Sequence, residues 1–239
     1  MINDSNLPNR VSNAPSSSGP AGGAPDWEAA YQSAVTPWDK GRAHPALLRW
    51  LGSHAMVGRI LVPGCGSGHD VRALSTNPLA EVVGLDLAPS SALAAAKHPR
   101  TGGERYLTGN FLEGNSPEGA FDWIFEHTCF CAINPACRPA YAKAAATALR
   151  PGGCLLAVFY RNPSHGGDDG PPYGCSMPEI DRLFGPWFEA VSEEENIETF
   201  EGREGREVLR CMRRNSVPCQ FLTDAPQAGQ NLDIPSAEL

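Results

Sequence analysis

Between Arg59 and Tyr160, short apolar runs alternate with helix-forming stretches, and this alternation leaves few folds open to the chain. Arg59–Val62, Glu81–Leu87, Phe121–Phe125 and Cys154–Tyr160 are the strong runs, and Arg105–Thr108 is a weaker one. His69–Ser75, Ser90–Lys97 and the alanine-rich Arg138–Leu149, closed by Pro151-Gly152-Gly153, are helix formers. Continuous apolar strands joined through helices predict a parallel sheet covered on both faces. The end of the chain differs. Phe188–Ser192 and Arg206–Met212 are strand-like with only a polar loop between them, which predicts an antiparallel hairpin at the sheet edge. The expected fold class is therefore α/β, doubly wound and mostly parallel.

Flanking segments bound this domain. Residues 1–24, including SNAPSSSGPAGGAP, carry almost no large apolar groups and are expected to be a disordered tail. Residues 215–239 have a similar composition and are expected to be flexible, so the domain spans 25–214. With 19 basic and 27 acidic residues the formal charge is −8. Arg213-Arg214 is too short to be a basic patch, so nucleic acid is not an expected partner. No run approaches the roughly 20 apolar residues of a membrane span, and the first residues have no secretory pattern. The eight cysteines contain no Cys-x-x-Cys pair, and several lie within apolar runs. They are expected to be reduced and structural, with no metal, in a cytoplasmic protein. Oligomeric state is not legible in the sequence.

The strongest local signal is Leu61-Val62-Pro63-Gly64-Cys65-Gly66-Ser67-Gly68-His69-Asp70, where the first strand gives way to a helix. Glycines there allow a tight turn and bring a ligand close to the backbone. Asp86 ends the next strand, where a carboxylate can accept from both hydroxyls of a ribose; a helix cap or turn is the structural alternative. The spacing is G-x-G-x-G, not the G-x-G-x-x-G of a pyrophosphate site, and no Walker lysine follows. A nucleoside bearing an amino-acid tail fits this turn, which points to S-adenosyl-L-methionine. Asn110 and Phe111 follow the third strand, where an amide can read the adenine amino group and a ring can lie on its face. Glu126 and His127 end the fourth strand at the carboxyl edge, where such sheets bind ligands.

Asp26-Trp27-Glu28-Ala29-Ala30-Tyr31 and Thr36-Pro37-Trp38-Asp39-Lys40-Gly41-Arg42, with the glycine turn, Phe130-Cys131-Ala132-Ile133 and Gly170-Pro171-Pro172-Tyr173, carry a family resemblance. The chain resembles the thiopurine methyltransferase superfamily, and within it the thiol, thiocyanate and halide branch, over about residues 26–214. The resemblance implies a seven-stranded, Rossmann-like, class I methyltransferase domain. It implies that Trp27 and Trp38 cover the cofactor, with Tyr31 where many members carry another tryptophan, and that Gly64, Asp86, Asn110 and Phe111 bind it. The sequence departs from the family where Asn110 replaces a frequent aspartate, Glu126-His127 a frequent Asp-Tyr, and Cys129 a common aromatic.

The expected reaction is methyl transfer to a small thiol, hydrosulfide, thiocyanate or halide. Tyr173 and His127 are the candidates to orient or deprotonate the acceptor, with Arg161 and His165 as further candidates. His127 is equally readable as a structural histidine, and Tyr173 as a packing residue. Methylation of an oxygen or nitrogen in a small metabolite is the alternative reaction, and a non-catalytic cofactor-binding protein the alternative class.

Overall fold

The computed structural model describes residues 25–114, 119–163 and 170–216. The expected tails at 1–24 and beyond 216, and the candidate His165, lie outside the described residues. Seven strands form one sheet in the order β3-β2-β1-β4-β5-β7-β6. In chain order they are β1 (Gly58–Pro63), β2 (Ala80–Asp86), β3 (Arg105–Thr108), β4 (Phe121–His127), β5 (Leu149–Tyr160), β6 (Phe188–Glu194) and β7 (Glu207–Arg214). β1 pairs in parallel with β2 and β4, β2 with β3, and β4 with β5. β7 lies antiparallel between β5 and β6, which makes the expected edge hairpin.

Among the described residues six α-helices accompany the sheet: α1 (Trp27–Gln32), α2 (Pro45–Leu51), α3 (His69–Leu74), α4 (Pro89–Ala96), α5 (Arg138–Ala148) and α6 (Met177–Phe184). Side chains alternate across each strand, so β4 sends Ile124 into one core and Phe125 into the other. The first core also holds Leu155 and Ala157 of β5, Phe184 of α6 and a row of α5 alanines. The second holds Leu156, Val158, Leu47 of α2, and Val71 and Leu74 of α3. Each fully buried Leu or Phe contributes about 1.5–3 kcal/mol. The α5 alanines serve twice, since they favour helix and their small side chains let it seat closely on the sheet.

One boundary differs from the sequence expectation. Pro151-Gly152-Gly153 does not separate helix from strand: α5 stops at Ala148 and β5 already begins at Leu149, opposite Phe121. The register shift between Phe121 and Trp123, with Gly152 at φ +75°, lets the pairing run through those residues as a bulge.

The chain goes from β1 outward to β2 and β3, then returns to the other side of β1 as β4. The carboxyl ends of β1 and β4 therefore flank the point where strand order reverses. In open α/β sheets this crevice is where ligands bind.

Candidate functional site

The turn after β1 holds three left-handed glycines, Gly64 (φ +59°), Gly66 (φ +51°) and Gly68 (φ +74°). The Gly66 N–H donates to Asp86 Oδ2 at 2.8 Å, and the Ala88 N–H donates to Asp86 Oδ1 at 2.9 Å. Asp86 thus ties the end of β2 to the turn, and is 8% exposed. Burial raises its pKa, against the opposing pull of the Ala88 and Gly66 N–H groups. A carboxylate offers about four lone-pair positions. At Asp86 the Leu87 N–H and the Ser91 hydroxyl also approach the carboxylate, so a bound ligand would share it with protein donors.

Above the turn lies the N-terminal aromatic segment. Trp27 and Trp38 meet edge to face with ring centroids 5.3 Å apart, and Tyr31 and Trp38 likewise at 5.9 Å. Trp38 Nε1–H donates to Tyr31 Oη at 3.2 Å. A Cβ added to Gly66 would come within 2.7 Å of Tyr31 Oη, so the phenol sits directly over that glycine. Burial first, and then the Asp86 charge, push the Tyr31 pKa up, which keeps the phenol neutral.

Two carboxylates pin this segment, and the sequence did not single out either. Glu28 accepts from Ser90 N at 2.9 Å and from Ser90 Oγ at 2.6 Å, joining α1 to the first turn of α4. Asp39 accepts from Ser67 Oγ at 2.5 Å and meets His69 Nε2 at 3.0 Å, joining the P-W-D segment to the glycine turn. Both lie within motifs already in view, but their partners are 62 and 28 residues away in the sequence.

Asn110, at the end of β3, is brought beside Asp86, because the next-door Gly109 N–H donates to Asp86 O at 2.8 Å. Its side chain is already engaged. Oδ1 accepts from Leu112 N at 3.0 Å and Nδ2 donates to Glu113 Oε1 at 2.9 Å. Phe111 is 6% exposed and packs against Tyr141 with centroids 5.1 Å apart, so its ring belongs to the core. Glu126 is also placed in the core: it is 1% exposed, Oε1 accepts from Phe130 N at 2.7 Å and Oε2 accepts from Tyr141 Oη. The cofactor contact expected of its side chain is corrected here, since it points with Ile124 toward α5. Burial pushes its pKa up to about 7 despite the Phe130 and Tyr141 bonds.

What Glu126 holds is the loop after β4. Thr128 takes φ +70°, a costly conformation for a β-branched residue. Cys129 then packs on the glycine turn, where a Cβ on Gly64 would lie 2.8 Å from Cys129 Cβ. Cys131 O accepts from Tyr173 N at 2.7 Å, and Arg138 Nη2 donates to Tyr173 O at 3.2 Å and Gly174 O at 3.0 Å. Tyr173 is thereby fixed through its backbone to the loop that touches Gly64. Its hydroxyl has no hydrogen-bond partner among the described residues.

His127 points to the opposite face of β4. Its Nδ1 meets Asp70 Oδ2 at 2.8 Å, and Asp70 Oδ1 accepts from His44 N at 2.8 Å. Burial would raise the Asp70 pKa, but the neighbouring His127 outweighs it and holds the carboxyl below its ordinary value. The His127 side chain is 10% exposed, and its Nε2 is buried without a partner among the described residues. Donor atoms of His44, His127 and Glu207 lie within 4.8 Å of one another. Both His44 nitrogens are already used, Nδ1 by Ala46 N–H at 3.1 Å and Nε2 by Glu207 at 3.0 Å. Glu207 also serves Thr199 and Arg203. A metal here would have to displace that network.

The sequence matches the thiopurine S-methyltransferase family over residues 23–218. Thiocyanate methyltransferase 1 of Brassica oleracea is 39% identical over 189 residues, covering 77% of this chain and 82% of that protein. A probable thiol methyltransferase 2 of Arabidopsis thaliana is 34% identical over 196 residues, covering 80% and 85%. Among solved structures, an S-adenosylmethionine-dependent methyltransferase of Methanosarcina mazei superposes with a TM-score of 0.58. That match covers 73% of this chain and 99% of the other at 19% identity, and it is a likeness of fold.

Proposed function

The chain belongs to the thiopurine S-methyltransferase family, and from that premise we propose that its S-adenosylmethionine lies on the Gly64–Gly68 turn, beneath Trp27, Tyr31 and Trp38, with Asp86 on the ribose. The enzyme is an S-adenosylmethionine-dependent methyltransferase acting on a small sulfur nucleophile. The observation that carries the site is the convergence on Gly66: its N–H is held by Asp86, and Tyr31 covers it.

The residues present suit this cofactor. Asp86 stands at the carboxyl end of β2 beside the glycine turn, the place from which a carboxylate accepts from the vicinal hydroxyls of a ribose. The aromatic segment offers π faces, which attract a cation, beside a turn bounded by the carboxylates of Asp39 and Asp86. Asn110 lies at the base end, where its amide is committed to Leu112 and Glu113 and its carbonyl accepts from Glu113 N–H at 3.2 Å.

When bound, S-adenosylmethionine supplies a methyl group on a sulfonium, which a nucleophile displaces in line. The protein must position that nucleophile and exclude water. On this reading the Tyr173 phenol donates a hydrogen bond to the acceptor anion. A neutral thiol must also lose its proton, since the thiolate is the nucleophile and a free thiol has a pKa of about 8.5. On this reading His127 takes that proton. Asp70 takes its Nδ1–H and leaves Nε2 as the proton acceptor, as the carboxylate of a catalytic triad does. Thiocyanate and halides need no base. The acidic charge balance and the free cysteines favour small-molecule acceptors and a cytoplasmic setting.

An acceptor panel of thiocyanate, iodide, hydrosulfide, aliphatic and aromatic thiols and small alcohols and amines, with methyl products identified by mass spectrometry, tests the reading. Methylated sulfur is expected, and methylation confined to oxygen or nitrogen would overturn it.

A further inference from the structure

Away from the cofactor turn, two cysteines meet across the sheet. Cys154 of β5 pairs with Arg213 of β7, and Leu156 with Cys211. Because side chains alternate along a strand, Cys154, Leu156 and Cys211 lie on one face, and the cysteines are diagonal neighbours. Their sulfurs are in hydrogen-bond contact. Cys211 is buried and Cys154 partly exposed, so one thiol is open to solvent and the other waits behind it.

The electrostatics divide the pair. The bond from Cys211 lowers the Cys154 pKa first, against the effect of burial, and Arg213 and Arg150 add to the lowering. Cys154 lies directly opposite Arg213, whose guanidinium favours a thiolate there, whereas Cys211 is pushed up. Cys65, Cys129, Cys131 and Cys175 are all driven upward, in each case by burial first. An accessible thiolate beside a resolving thiol is the arrangement of a redox-reactive cysteine.

We propose that Cys154 and Cys211 form a hydroperoxide-reactive dithiol that closes to a disulfide between β5 and β7. The Cys154 thiolate attacks one peroxide oxygen, an S–O bond forms and the O–O bond breaks, and the departing oxygen leaves as water or an alcohol after taking a proton. Cys154 is then a sulfenic acid. The Cys211 sulfur attacks it, the S–S bond forms, and hydroxide leaves as water with the Cys211 proton. The two sulfurs are oxidised by two electrons in all, and one peroxide is reduced. Cys154 pairs with Trp123, four residues before the His127 end of β4, so the chemistry is separate from methyl transfer.

The test uses the full chain, exposed to limiting hydrogen peroxide near neutral pH and then mapped by mass spectrometry. A peptide linking Cys154 to Cys211, lighter by two hydrogens and restored by dithiothreitol, is expected. Cys211→Ser should stall at a Cys154 sulfenic acid that dimedone traps. In unoxidised wild type, iodoacetamide near pH 7 should label Cys154 about tenfold faster than the exposed Cys137, given that an ordinary thiol is only a few per cent ionised there. Oxidation spread over Cys137 and other thiols with no 154–211 link, or equal labelling of Cys154 and Cys137, would overturn the proposal. The labelling arm needs no variant, so it decides even if a substitution prevents folding.

Discussion

The N–H of Gly66 donates to the carboxylate of Asp86 at 2.8 Å, and that single bond couples the end of β2 to the turn after β1. Its donor sits at φ +51° under the hydroxyl of Tyr31. The proposed ribose site, the turn and the aromatic segment therefore respond together to changes at either residue.

Asp86→Ala removes the proposed ribose acceptor and the anchor of the Gly66 N–H. Hydrogen bonds to a charged group contribute about 1.5–3 kcal/mol each, so affinity for S-adenosylmethionine should fall roughly ten- to more than a hundredfold. Calorimetry reads this directly. Unchanged affinity would remove Asp86 from the site.

Gly66→Ala tests the same junction from the other side. A left-handed conformation costs a non-glycine residue about 1–2 kcal/mol, and the new methyl would press on Tyr31 Oη. We expect a small loss of thermal stability and a larger rise in the cofactor KM. Gly103→Ala, where nothing lies within 4 Å of the added carbon and φ is ordinary, serves as the control.

The turn and Asp86 were legible because each demands a particular residue at a particular place, glycine at φ > 0 and a carboxylate at a strand end. The strands and the helices α3, α4 and α5 were legible from apolar runs and helix formers, whereas the short α1, α2 and α6 were not singled out. Glu28 and Asp39 were less legible, because their meaning lies in partners 62 and 28 residues away. His44 is tied to Glu207 across 163 residues and could not be assigned locally at all. Glu126 and His127 illustrate a different limit. On a strand buried on both faces, adjacent polar residues go to opposite sides, and no hydrophobic alternation says which is which.

Those tethers give the next prediction. Asp39→Asn weakens the link from the P-W-D segment to Ser67 and His69, and Trp38→Ala removes the ring that joins Trp27 to Tyr31. Tryptophan fluorescence should change on cofactor binding in wild type, and Trp38→Ala should lose most of that change together with activity. Asp39→Asn should keep the signal but need more cofactor to reach it. If Trp38→Ala turns over normally, the aromatic segment is packing and not a cover.

Glu126 makes stability depend on pH in a direction opposite to most carboxylates. Its folded pKa of about 7 lies above the ordinary carboxylate value of about 4.3. The folded state therefore holds the proton more tightly, and this contribution is complete below about pH 4.3 and lost as pH rises through about 7. The shift corresponds to something on the order of 3 kcal/mol. Glu126→Gln keeps an oxygen for Phe130 N and removes the charge, so it should flatten the profile and match or exceed wild-type stability above pH 7. Denaturant unfolding of both proteins from pH 5 to about pH 8 measures the difference. Parallel profiles would mean that Glu126 is already ionised or already neutral throughout.

The proposed acceptor side rests on Tyr173, and its fixed backbone makes the test clean. Cys131 O and Arg138 hold its N–H and C=O, so the ring should stay in place when only the hydroxyl is removed. Tyr173→Phe should therefore leave folding and cofactor affinity unchanged and slow methyl transfer. For a thiocyanate or iodide acceptor, loss of one hydrogen bond to an anion of about 1.5–3 kcal/mol predicts a fall in kcat/KM of roughly ten- to a hundredfold. Arg138→Lys supplies the contrast. It keeps the charge near Glu179 but loses the paired donors to Tyr173 O and Gly174 O, so the segment loosens while the phenol remains. If Tyr173 acts through its hydroxyl, the Arg138 variant should lose less than Tyr173→Phe, and its loss should appear mainly in KM for the acceptor. Equal turnover in wild type and Tyr173→Phe would return the ring to a packing role. His127→Asn separates base from donor: it should slow neutral thiols far more than thiocyanate, because only the thiol has a proton to give up.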